Sequence, residues 1–204
     1  MKASRESGPD GSGPGGGGQP PQGRGRWRWR QLTWWILILP IVMGVAVITR
    51  NLYLLDYSHV MAGMLWTGAD LFLGFILGPV LRRITPAERH ALVRYLVPKT
   101  LLYMPTEAFT SVVGGWFLAH AFGFLSPGSP DLAWVGVAIG VSVVLVVQGA
   151  AISWNEWRIA GELKRREPDA ARIQRSNTVV FRLAAVQGSL QVLIVLIMAH
   201  LTVG

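Results

Sequence analysis

Five side chains able to ligate a metal or carry a proton sit within stretches otherwise apolar enough for a bilayer: His59, Asp70, Glu107, His120 and His200. Imidazole is a ligand for iron, copper and zinc, and a chain with no cysteine has few other donors. A carboxyl at the centre of a bilayer costs about 2.5–3.5 kcal/mol, so Asp70 and Glu107 should face protein or water; they are candidates for a proton or cation relay. The lack of cysteine also excludes disulfides, iron–sulfur clusters and covalent CxxCH haem attachment. Nucleophilic catalysis finds no support, because there is no GxSxG elbow and Ser58 directly beside His59 lacks triad geometry on a helix. Each feature also has a plainer structural alternative. Histidines near helix ends are inexpensive at a membrane surface. Buried carboxyls can be hydrogen-bonded fixtures, with Asp70 bonded to Thr67 or to a neighbouring helix.

The chain that must position these residues is 51% hydrophobic and only 15% charged, a composition unlike a disordered chain and unlike most soluble domains. Its organising stretch is 56–81, where His59, Gly63, Trp66 and Asp70 fall within about 60° of one another on a helix. Around it the hydropathy pattern predicts an all-α transmembrane bundle of five spans, at about 32–49, 56–81, 100–125, 132–153 and 179–203. Residues 1–26 are Gly/Pro-rich and read as a disordered cytoplasmic tail, and 27–204 as the transmembrane domain. Arg24, Arg26, Arg28 and Arg30 alternate with Trp27 and Trp29, the pattern of an interfacial anchor. A cleaved signal sequence is the competing reading of the first span, opposed by the long tail before it.

Between the spans, 82–99 reads as a short interfacial helix opened by the capping box Thr85-Pro86-Ala87-Glu88. The segment 126–131 is a turn, and 154–177 is a charged loop broken at Pro168. Gly136 and Gly140 form a small-xxx-small pair, a signal for close helix packing. Arg182, Gln148, Gln187 and Gln191 are the other polar residues of the last two spans.

Basic residues alternate between connections. Four arginines lie in the arm just before the first span, one follows it, five basic residues follow the second, none follows the third and six follow the fourth. The positive-inside rule then puts the amino terminus inside and the carboxyl terminus outside, in a multi-pass protein of the cell membrane, by expectation a bacterial plasma membrane. The basic excess of +8 does not form a stripe on a folded soluble face, so nucleic acid is not an expected partner. The lipid bilayer is, and a second copy or a membrane-complex subunit is left open.

At ~1.5 Å of rise per residue, Asp70 and Glu107 lie ~16 and ~12 Å from the inner ends of their spans, and His59, His120 and His200 lie ~32–33 Å along theirs. Two layers are expected: a mid-membrane pair of carboxyls and an outer set of imidazoles. His59 and Asp70 share a face but lie ~16 Å apart, too far to hold one ion together.

The pattern His59-x-x-x-Gly63-x-x-Trp66-x-Gly68, followed by Pro79 and Arg82-Arg83, resembles the first helix of a loose superfamily of small polytopic membrane proteins. These include the copper-resistance CopD type, the HemJ-type protoporphyrinogen oxidase and the membrane domain of PuuD-type urate oxidases. Arg94-Tyr95, Pro98-Lys99, Met104-Pro105-Thr106 and Gly114-Gly115-Trp116 are similar to the second HemJ-like helix, the resemblance covering about residues 55–120. It implies haem b or copper handling, with His59 as a ligand, Trp66 in the cofactor-binding motif and Lys99 as a functional basic residue. Asp70, Glu107 and the Trp-rich first span depart from that pattern.

The expectation is a redox protein binding haem b or copper through His59, with His120 or His200 as second ligand and Asp70 and Glu107 moving protons. The alternatives are a proton or cation transporter, or channel-like protein, built on the carboxyls, and a non-catalytic membrane scaffold subunit.

Overall fold

In the computed structural model of the chain the described residues are 34–203. The Gly/Pro-rich tail and the Arg/Trp arm lie outside them. The described residues form helices joined by short turns: a 3-10 turn at Trp34–Leu37, α1 (Ile38–Thr49), α2 (Leu52–Leu71), a π-helical turn at Phe72–Leu77, α3 (Gly78–Arg83), α4 (Pro86–Ala121), α5 (Leu132–Glu162) and α6 (Ala170–Val203). Three helices are long and apolar enough to cross a membrane: Leu52–Arg83, Leu132–Glu162 and Ala170–Leu201. Trp34–Thr49 is a shorter apolar helix. α4 has the length, at 36 residues, but Glu107, Pro98, Pro105 and a series of hydroxyls dilute its apolar character.

The helices run further than the apolar stretches that announce them. The interfacial helix expected at 82–99 and the span expected at 100–125 are one helix, α4, opened by the capping box. Thr85 donates from its hydroxyl and its backbone N–H to Glu88 Oε2 at 2.7 and 2.9 Å, and Glu88 N–H donates back to Thr85 Oγ1 at 3.4 Å. Pro98 and Pro105 lie inside α4 without ending it. A single buried stripe carries through both: Val93, Val97, Thr100, Met104, Glu107, Thr110, Gly114 and Leu118 recur at steps of three and four. Packing along that stripe offsets the backbone bond each proline removes.

The loop expected at 154–177 is likewise mostly helix. α5 continues to Glu162 and α6 begins at Ala170, so only the segment around the expected break at Pro168 is irregular. Asp169 Oδ1 accepts from Arg172 N–H at 3.0 Å and so caps α6. Glu162, buried, accepts from Asp169 N–H at 3.4 Å and pairs with Arg165 and Arg172 at 3.4 and 3.7 Å, tying the loop to both helix ends. At the other short connection, Arg50 takes the left-handed conformation with φ 54°. Asn51 Oδ1 accepts from Leu54 N–H at 3.1 Å, so α2 starts at Leu52, ahead of the expected 56.

α2 is the central element, packed on α1, α4 and α6, while α5 closes against α4 and α6. Two glycines set its distance from α6. A Cβ on Gly74 would lie 2.4 Å from Ala185 Cα, and one on Gly188 would lie 2.8 Å from Leu71 Cδ2. By contrast a Cβ on Gly136 or Gly140, the small-xxx-small pair, would meet nothing within 4 Å among the described residues. Much of the bulky apolar surface points outward, including Ile41, Ile48, Met64, Phe75, Val147 and Leu196. An exposed apolar belt over a partly polar interior suits a lipid solvent rather than water.

Candidate functional site

The interior holds a run of buried polar side chains. Asp70 on α2 is 0% exposed, Glu107 on α4 is 1% and Glu156 on α5 is 3%. Gln187 and Gln191, both buried, project from α6 one turn apart. Gln187 Nε2 donates to Asp70 Oδ2 at 3.0 Å, and Gln191 faces the same carboxyl without completing a hydrogen bond. Asp70 is therefore held from a neighbouring helix and not by Thr67. Thr100 Oγ1 donates to Glu156 Oε1 at 2.7 Å, joining α4 to α5, and Asp70 is near enough to Glu156 for its charge to be felt there. No hydrogen bond joins Asp70 to Glu107. Tyr103, one turn before Glu107 on α4, is within electrostatic reach of it.

Each of the three carboxyls keeps one buried oxygen without a hydrogen-bond partner among the described residues: Asp70 Oδ1, Glu107 Oε2 and Glu156 Oε2. Gln187 Oε1 and both polar atoms of Gln191 share that condition. A buried polar atom left unpaired costs about 1–3 kcal/mol, so such a concentration in one bundle marks the candidate site of the described residues.

Glu156 falls in the stretch 154–177 expected to be a charged loop, and the structure places it instead on α5, buried. The signal was present: Leu145, Ile152, Glu156 and Ile159 lie on one helical face, all buried, so the inward stripe of the fourth span continues past its apolar end.

The histidines do not assemble. His59 is half-buried, and its ring nitrogen Nδ1 meets the Ser111 carbonyl oxygen at 2.7 Å. A carbonyl only accepts, so Nδ1 carries the proton and donates. The ring lies over Gly115, where a Cβ would approach His59 Cε1 at 2.9 Å, and a Cβ on Gly114 would approach His59 Cβ at 3.0 Å. The two glycines of α4 make the slot that admits the imidazole. His120 is exposed in the last turn of α4. His200 is exposed on α6 and packs on Trp134, with ring centroids 4.6 Å apart. Trp66 is buried among Leu73, Met104, Leu145 and Ala184 and acts as core. Lys99 is exposed.

Among the described residues no group of three or more His, Asp or Glu side chains gathers as a metal-ligating set. One imidazole, His59, is oriented through Nδ1 so that Nε2 is its other nitrogen, and no second ligand among the described residues converges on it. The donor set does not fit a haem or copper held jointly by His59, His120 and His200. No protein-family model, curated protein or solved structure matches the chain.

Proposed function

We propose that the protein moves protons across a membrane through its buried carboxyls, in a five-span arrangement with the amino terminus inside and the carboxyl terminus outside. One observation carries the reading: carboxyls on α2, α4 and α5, each with a buried oxygen that has no hydrogen-bond partner. Gln187 donates to one oxygen of Asp70 and leaves the other as the atom that accepts a proton. Thr100 does the same for Glu156. A carboxyl so arranged can be neutral or charged without rebuilding its surroundings, which is what a relay station requires. Glu107 lies on the helix between these partners and supplies a third station.

The five-span count takes α1 and α4 as spans beside the three more apolar helices, and the cell membrane of a bacterium as the setting. The alternation of basic connections supports it. A carboxyl-terminal reporter active only in the cytoplasm would overturn the orientation. The relay is tested by proton flux into liposomes containing the purified protein. Asp70→Asn is expected to cut the flux at least about tenfold; flux that survives Asp70→Asn, Glu107→Gln and Glu156→Gln together would sink it.

A second reading, haem b or copper bound through His59 as the resemblance to the CopD and HemJ type suggests, has one observation in its favour. The Nδ1 bond to Ser111 is the orientation that ligating histidines receive from an outer partner. It requires the remaining ligands to come from a second copy or a partner subunit. An absorption spectrum and copper analysis of detergent-purified protein decide it: a Soret band or stoichiometric copper lost in His59→Ala supports ligation, and colourless, copper-free protein removes it.

A further inference from the structure

At the end of the bundle opposite His59, a cavity of about 260 Å³ opens between the π turn with α3 on one side and the first half of α6 on the other. Its lining includes three arginines, Arg82, Arg89 and Arg182, together with Asn177, and no acidic residue. The ion pairs of Glu162 with Arg165 and Arg172 involve none of the three arginines, and no acidic partner among the described residues reaches them. Arg89 spends Nε on the Leu81 carbonyl at 2.7 Å and Nη2 on the Ile84 carbonyl at 3.3 Å, which fixes it in place. Asn177 is 5% exposed, and its Nδ2 is a buried donor with no hydrogen-bond partner among the described residues.

Three positive groups and an unspent amide donor around one cavity call for an anion with several acceptor oxygens. A phosphate meets that need, because guanidinium groups match its oxygens in pairs. The other wall, Phe75, Pro79 and Phe181, is apolar, and Phe75 is more than half exposed on the outer surface of the bundle. A ligand with its phosphate on the arginines therefore has an apolar track leading out of the cavity along the lipid-facing side. We infer that this cavity binds the phosphodiester of an anionic phospholipid, with the acyl chains lying against Phe75. Basic pockets between spanning helices recognise headgroups in this way. The inference is independent of proton movement and stands or falls apart from it.

Native mass spectrometry of the intact protein from neutral detergent tests the inference, with dioleoyl-phosphatidylglycerol, dioleoyl-phosphatidylcholine and inorganic phosphate as probes. The expected result is retention of one phosphatidylglycerol per chain in preference to phosphatidylcholine. Affinity should fall about fivefold for each arginine removed and about thirtyfold in Arg82→Gln with Arg182→Gln. Arg83→Gln, which removes a neighbouring charge outside the cavity, is expected to change affinity less than about twofold. Asn177→Asp keeps the size of the side chain and places a negative charge among the arginines; it should abolish binding even where the double variant folds poorly. Equal losses in the Arg83 and the Arg82/Arg182 variants would overturn the site, as would equal retention of the two lipids. Displacement of the lipid by millimolar inorganic phosphate would assign the cavity to the free ion and overturn the lipid reading.

Discussion

Around Asp70 the fold brings side chains together. Gln187 and Gln191 reach it from α6, and Glu156 from α5 lies within its field. Around His59, three turns up the same helix, the closest neighbours are backbone, the Ser111 carbonyl and the bare Cα atoms of Gly114 and Gly115, with Asp56 one turn back on α2 within electrostatic reach. One region is a polar layer assembled from several helices and left partly unsatisfied. The other is a single imidazole fitted into a groove and satisfied at one nitrogen. The contrast separates two uses of a polar residue in an apolar bundle: unspent acceptors mark where something can be taken up, and a snug single bond marks where a helix is located.

The largest effect that would break this contrast is functional. Asp70→Asn combined with Glu156→Gln should reduce proton flux in liposomes at least about tenfold, beyond Glu156→Gln alone. His120→Ala with His200→Ala should leave it within about twofold. Comparable losses in both pairs would place the outer histidines on the path. Next in size, Thr100→Val removes the hydroxyl bound to Glu156 without changing shape and should cost about 1–3 kcal/mol in thermal unfolding. Gly115→Val drives a methyl into the His59 ring and should cost about 1–3 kcal/mol, with loss of the Nδ1 hydrogen bond visible in imidazole nitrogen shifts. Gly136→Val, in open space, should cost under about 1 kcal/mol, which makes it the control. His200→Ala gives up only the contact with Trp134 and should cost about 0.5 kcal/mol.

The smallest effect concerns pH. The Thr85 hydroxyl, and then its backbone N–H, hold the Glu88 carboxyl below the ordinary glutamate range. A lowered value means its contribution is complete above that range and is lost as pH falls through the folded value. Amide exchange at the start of α4 should therefore rise, relative to Thr85→Ala protein, only below about pH 4.

Much of this was legible from residue types alone. Asp70 and Glu107 each interrupt a long apolar run, and the cost of a carboxyl in lipid predicts the inward orientation both adopt. Helix existence followed from hydropathy, but helix length did not. Hydropathy registers the part of a helix that meets lipid, whereas α4 and α5 are held beyond that part by a capping box and by buried stripes through Val93 and Ile159. Glu156 was lost for that reason. The histidines failed differently. Counting along helices gives an expected depth but not a direction, and three imidazoles expected at one depth lie in three different surroundings: a glycine slot, an exposed helix end and an indole face.

The π turn at Phe72–Leu77 has a consequence for how α2 can change. Its wider ring, closed by Gly78 N–H on the Leu73 carbonyl, inserts one residue between the level of Asp70 and the level of Arg82. Every residue beyond it is thereby offset by about 100° from where an unbroken α-helix would set it. Deleting a single residue there would rotate Arg82 out of the basic cavity while leaving Asp70 against Gln187. The acid layer and the basic cavity are thus phased by a vernier of one residue, and insertion or deletion at that turn can retune one without disturbing the other.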